Sequence, residues 1–248
     1  MDHSAFHWAL MVLAVLSAYT VFGMTGFGSA IVAVPMLVQF KPLAFAVPLI
    51  LLLDFVATLT VGGKNWRKVD RLELLRLSPW MLLGVVLGVA ALSALEPRSL
   101  LLGLGLFICA NAVWSLRTAA AATAPVAAMW SAPAGLVGGM FGAAFGTGGP
   151  IYTLYLVRRV LEMDAFRATI AVVVLVSAVL RLAVFGVAGL LADLALLQTA
   201  IVLAPVCFAG VLLGSGLRPR FEPQTLRRLI LQLLLVGGLA VLGRAMQT

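Results

Sequence analysis

The sequence predicts an all-α polytopic membrane protein of about eight hydrophobic segments in two repeats. Three observations carry that reading. Apolar residues make up 63% of the chain and charged residues only 10%, where soluble domains run near half and a quarter; the mean hydropathy is +1.14. Long apolar runs alternate with short polar or proline-bearing joints from end to end. A glycine-rich pattern also occurs twice, as GMTGFGS at 23–29 and GMFGAAFGTGGP at 139–150.

Segment 1, residues 6–38, is apolar on both sides of the first glycine pattern and is broken by it. Lys41 and Pro42 separate it from segment 2, 43–62, which holds Asp54. The longest polar stretch, Lys64 to Arg76, precedes segment 3, 78–95, and a Glu96, Pro97, Arg98 joint leads into segment 4, 99–116. The Ala/Thr-rich run 118–127 is the natural joint between a first repeat, about 6–117, and a second, about 130–246. Segment 5, 130–157, carries the second glycine pattern at the matching place. Segment 6, 166–191, holds Arg181; segments 7 and 8, 194–216 and 225–245, are separated by RPRFEP. Trp66, Trp80, Trp114 and Trp130 fall at segment ends, as interfacial anchors do. Residues 1–248 read as one transmembrane domain, and residues 1–9 have no basic cluster, so a cleavable signal peptide is not expected.

The net charge of +8 sits in short loops beside apolar spans, which is topogenic charge rather than a nucleic-acid footprint. If all eight segments cross, seven Lys/Arg (Lys64, Arg67, Lys68, Arg71, Arg76, Arg117, Arg244) face nine on the other side. That is no bias. If the glycine-broken segments 1 and 5 instead enter and return on one side, Arg158, Arg159, Arg167, Arg218, Arg220, Arg227 and Arg228 join the first group. Arg244 then leaves it, giving thirteen against Lys41, Arg98 and Arg244. That strong bias gives the halves opposite orientations, an inverted repeat with both glycine tips near the midplane. Length argues the other way for segment 1, because residues 6–24 span about 28 Å as helix, enough to cross.

Paired, glycine-broken hydrophobic segments in two halves point to a transporter's binding site, since freed backbone must face protein or a cavity and not lipid. Gly26, Gly28, Gly146, Gly148 and Gly149 are therefore candidate substrate-binding residues, with Thr25, Ser29 and Thr147 as hydroxyl donors. Helices restarting after the breaks turn their positive N-terminal ends toward a bound anion. Arg181 lies deep in segment 6; an intramembrane charge marks a functional site, and its fork suits an oxyanion. Asp54 is its expected counterpart, either as an ion pair that fixes packing or as a coupling carboxylate. Ser177, one turn before Arg181, and Tyr152 and Tyr155 after the second pattern are expected along the cavity wall. The competing explanation for glycines in a membrane is close helix packing, which is the expected role of Gly84 and Gly88, of Gly103 and Gly105, and of Gly237 and Gly238.

GMTGFGSAIVAVP at 23–35 and GGMFGAAFGTGGPIYTLY at 138–155 resemble the two signature segments of the sulfite exporter TauE/SafE family. FRAT at 166–169 resembles the family's segment opening the next helix, and the resemblance extends over essentially the whole chain. It implies a polytopic transporter of small anions, often sulfur-containing ones such as sulfite, sulfonates or sulfoacetate, in the bacterial inner (plasma) membrane.

Together these readings describe a secondary transporter or exporter of a small, sulfur-containing anion, working by alternating access. The expected partners are that anion, the lipid bilayer and a coupling proton or cation, with a homo-oligomer left open and no nucleic acid. No cofactor or metal is expected, and the two cysteines lack ligand spacing. Two other classes compete with this one. A non-transporting assembly subunit is separated by a flux assay. An intramembrane enzyme lacks support, because both histidines are near the N-terminus and no HExxH motif is present.

Overall fold

The computed structural model describes residues 3–25, 28–61, 68–117, 126–217 and 223–246, all as helices and short connections, with no strand among them. Among these residues ten α-helices follow one another: α1 His3–Thr25, α2 Ser29–Leu37, α3 Leu43–Val61, α4 Arg71–Ala94, α5 Pro97–Arg117, α6 Ser131–Phe145, α7 Gly149–Leu156, α8 Met163–Val187, α9 Leu194–Leu217 and α10 Pro223–Ala245. Stretches within α1, α4, α8 and α9 are long and apolar enough to cross a membrane, and α3, α5 and α10 carry shorter apolar stretches.

Proline and capping chemistry sets many of the boundaries. Pro97 and Pro223 open α5 and α10 and Pro150 sits in the first turn of α7, positions where a missing N–H costs nothing. Asp70 caps α4, its carboxylate accepting from the Leu72 and Glu73 N–H groups at 3.0 and 3.1 Å. The helix therefore begins seven residues before the apolar run at 78, inside the stretch that reads as a polar loop.

Segments 1 and 5 are each split into two helices at the glycine pattern. Gly28 (φ 92°) precedes α2 and Gly146 (φ 74°) ends α6, and both adopt the left-handed conformation that only glycine reaches without strain. The chain then doubles back. Ser17 of α1 lies against Met36 of α2 (3.9 Å) and the His7 ring against Phe40 (5.9 Å between centroids). In the second pair, Gly148 and Tyr152 pack against Gly138 of α6, and Arg159 beyond α7 donates to the Val126 carbonyl before α6 at 3.1 Å. α6 and α7 have 15 and 8 residues, about 22 and 12 Å, each short of a 30 Å hydrocarbon core.

The packing exchanges the two halves. α1 packs along α9 and α6 along α4, α5 pairs with α10, α2 and α7 lie on α3 and α8, and α3 touches α8. Both of the long crossings are glycine-lined. A methyl on Gly84 would sit 2.1 Å from the Leu136 carbonyl oxygen, and one on Gly214 would sit 2.0 Å from that of Thr20. These backbones touch, as small residues permit in membranes. Between α5 and α10 the glycines instead make room for side chains, Gly105 for Leu242 and Gly238 for Cys109.

Candidate functional site

The hairpin tips meet at the centre of the bundle. A methyl on Gly146 would come within 2.7 Å of the Ala30 Cβ, so the second tip rests on the first turn of α2. Beside this contact lies a small cavity. Gly28, Ser29 and Phe22 line it from the first hairpin; Gly146, Gly148, Gly149 and Tyr152 line it from the second. α3 contributes Asp54 and Thr58, and α8 contributes Val174, Ser177, Ala178 and Arg181.

Close backbone approach builds the second tip. A methyl on Gly148 would sit 2.5 Å from the Gly138 carbonyl oxygen, and one on Gly138 would sit 2.3 Å from the nearest carbon of the Tyr152 ring. Bare glycine at both lets the ring lie on α6, and the Tyr152 hydroxyl then meets Ser177 Oγ at 3.3 Å. Both helices that restart after a break, α2 and α7, have their first residues at the cavity.

Two charges share this space. Arg181 is 5% exposed and donates from Nη1 to the Gly142 carbonyl at 3.1 Å and from Nε to the Ser177 carbonyl at 3.4 Å. Those bonds use two of the five guanidinium donors and aim the head across the end of α6. Asp54, 8% exposed, accepts from the Tyr19 hydroxyl at 2.8 Å and from the Ser29 hydroxyl. The charges interact electrostatically, yet no salt bridge joins them among the described residues: each is anchored in a different half. The two charges are held separately and face one cavity.

Gly28, Ser29, Gly146, Gly148, Gly149, Asp54, Tyr152, Ser177 and Arg181 are brought together. Gly26 and the Thr25 side chain lie outside the described residues. Two expectations need correction. Tyr155 does not wall the cavity: its hydroxyl donates to Glu73, because a residue three further along α7 has moved out toward the hairpin's open end. Thr147 is buried but is not among the lining residues, and its hydroxyl has no partner; its N–H is tied back to the Phe141 carbonyl at 3.3 Å, which holds it against the end of α6.

Sequence reasoning missed Tyr19 and Glu73. Tyr19 holds Asp54, and its signal was a phenol within an apolar helix, which needs a partner when buried. Glu73, 2% exposed, gathers Tyr155, Arg76 (2.8 Å) and Arg159 (2.7 Å). Its hydrogen bond holds the Arg159 guanidinium above its ordinary range. On the same side, Lys68 bridges Asp164 at 2.6 Å, and the Asp70 N–H donates to Thr169 of the FRAT segment at 2.9 Å.

A helical bundle with membrane-spanning helices, opened at its centre by two broken hairpins around a polar cavity, has the build of a multi-pass membrane transporter. The comparisons agree. The model of the sulfite exporter TauE/SafE family matches residues 10–241, so the chain belongs to that family of membrane transporters. It is also 33% identical over 195 residues to the probable inner membrane transporter protein TsaS of Comamonas testosteroni, covering 78% of this chain and 81% of the relative. No solved structure matches it.

Proposed function

We propose that the protein is a secondary transporter or exporter of a small sulfur-containing anion, such as sulfite, a sulfonate or sulfoacetate, in the bacterial inner membrane. The anion binds between the hairpin tips, on the remaining donors of Arg181, the hydroxyls of Ser29, Tyr152 and Ser177, and the first turns of α2 and α7. The observation that carries this reading is Arg181, buried at a cavity built by both halves with no carboxylate bonded to it among the described residues. Such a charge persists inside a bilayer where function requires it.

The two halves, about 6–117 and 130–246, act as inverted repeats whose hairpins re-enter from opposite faces. The exchange of packing partners between halves supports this, as do the short α6 and α7 and the thirteen-to-three charge bias. Rocking one half against the other then opens the cavity to each face in turn.

The test is flux of sulfite, sulfoacetate, taurine and sulfate into proteoliposomes holding this protein alone, with and without a pH gradient. Saturable flux of one anion, lost in Arg181→Ala while the variant stays monodisperse, is the expected result. Flux that survives Arg181→Ala removes that residue from the site. No flux of any anion overturns the transport reading in favour of an assembly subunit.

A further inference from the structure

The cavity holds one positive and one negative side chain that do not bond to each other, and this has a consequence for what crosses with the anion. We propose that Asp54 is a proton-binding site coupling transport to proton movement, one proton travelling with each monovalent anion. This rests on the anion-transport reading.

The argument is charge balance in a low-dielectric space. With the cavity empty, ionised Asp54 and Arg181 sum to zero. A monovalent anion on Arg181 leaves the cavity at minus one, and a proton alone on Asp54 leaves it at plus one. Anion and proton together return it to zero. Rocking carries the site across the hydrocarbon region, where uncompensated charge is costly, so the empty and doubly loaded forms reorient and the singly loaded ones do not. The proton enters from water on one face, binds a carboxylate oxygen of Asp54, and leaves to the other face with the anion. No covalent bond other than this O–H forms or breaks.

The surroundings suit the role. Asp54 is held by Tyr19 from α1 and Ser29 from α2, hydroxyls that donate to the carboxylate and can accept from the carboxylic acid, so either form stays bonded. The other groups acting on it are Arg181 of α8 and the Cys207 thiol of α9. Across the cavity α7 presents the Tyr152 phenol. α4, α5 and α6 bring no charged group to it among the described residues. Among the described residues Arg181 is thus the one cation acting on Asp54, and an anion that engages it takes that balance away. Because Ser29 sits on the first hairpin tip, protonation is also felt where α2 begins.

The experiment uses methanesulfonate and isethionate, monovalent anions that do not titrate near neutrality, in proteoliposomes of the full chain loaded with a pH-sensitive dye. An inward gradient of labelled sulfonate should acidify the lumen by one proton per anion, with a rate insensitive to a potassium–valinomycin potential. Asp54→Asn, whose empty cavity would carry plus one, should still exchange labelled for unlabelled sulfonate but lose net uptake and the acidification that goes with it. Sulfonate flux without acidification, or acidification unchanged in Asp54→Asn, overturns the coupling and leaves anion transport standing. Flux of no sulfonate and no sulfite overturns both. Should Asp54→Asn not fold, the wild type still decides. Its affinity for the transported sulfonate should rise as pH falls, by up to about tenfold per unit for one linked proton, and a flat profile overturns the proposal.

Discussion

Arg181 is positioned by carbonyl groups rather than by a carboxylate, which leaves it electrostatically available. Hydrogen bonds to charged groups contribute about 1.5–3 kcal/mol, so Arg181→Ala should weaken anion binding roughly ten- to a hundredfold, read by flux or by ligand-induced thermal stabilisation. Arg181→Lys keeps the charge but not the planar fork and should recover only part of the loss. The two left-handed glycines at the hairpin tips are predicted to differ. Gly28→Ala meets nothing closer than Ile31 at 3.9 Å and bears only the conformational cost of about 1–2 kcal/mol. Gly146→Ala adds an overlap with Ala30 and should melt lower in detergent. Ala30→Gly should relieve that added part and leave Gly28→Ala unchanged; equal losses at both glycines would argue against contact between the tips. At this scale the sequence was most legible where a residue is anomalous by itself. Arg181, Asp54 and the repeated glycines stand out in apolar runs whatever surrounds them. Tyr19 did not, because a single tyrosine in an apolar helix also suits packing or an interface.

Among the elements, the α4–α6 and α1–α9 crossings are matched devices, each holding backbones together through glycine. Gly84→Ala and Gly214→Ala should both lower thermal stability and yield, since neither residue lines the cavity and each methyl would strike backbone. Overpacking of this kind costs about 1–3 kcal/mol. Retained stability in either variant would mean the crossing is looser than described. The α7 end is fixed differently, by Glu73 on α4. Glu73→Gln should lower the melting temperature by the equivalent of about 1–3 kcal/mol, the cost of leaving buried partners unsatisfied, while Arg76→Gln, at the rim of the same network, should cost less. Glu73 was not legible because it falls in Lys64 to Arg76, a stretch with five basic residues that reads as a solvated loop. The Asp70 cap turns the second half of that stretch into helix and carries Glu73 inward. The glycine breaks were legible as elements, yet composition could not say whether α1 stops or turns, since its length alone suffices to cross.

For the whole molecule, the decisive question is which loops share a side of the membrane. Eight simple crossings place Lys68 and Glu162 on opposite faces. Two hairpins place them together, and Lys68 lies 3.9 Å from Glu162. On the proposed re-entrant arrangement the basic residues concentrate on that face, which the positive-inside rule would then make cytoplasmic. Single cysteines at Lys68 and at Glu162, in a chain whose Cys109 and Cys207 are replaced by alanine, should therefore react with an impermeant maleimide only in inverted vesicles. Cysteines at Glu96 and Val187, at the far ends of α4 and α8, should react only in right-side-out cells. Positions 68 and 162 labelling from opposite faces would make segment 5 a true crossing and remove the inverted symmetry. Agreement would leave the cavity between two hairpins entering from opposite faces, the arrangement that lets a rocking motion expose one site to either side.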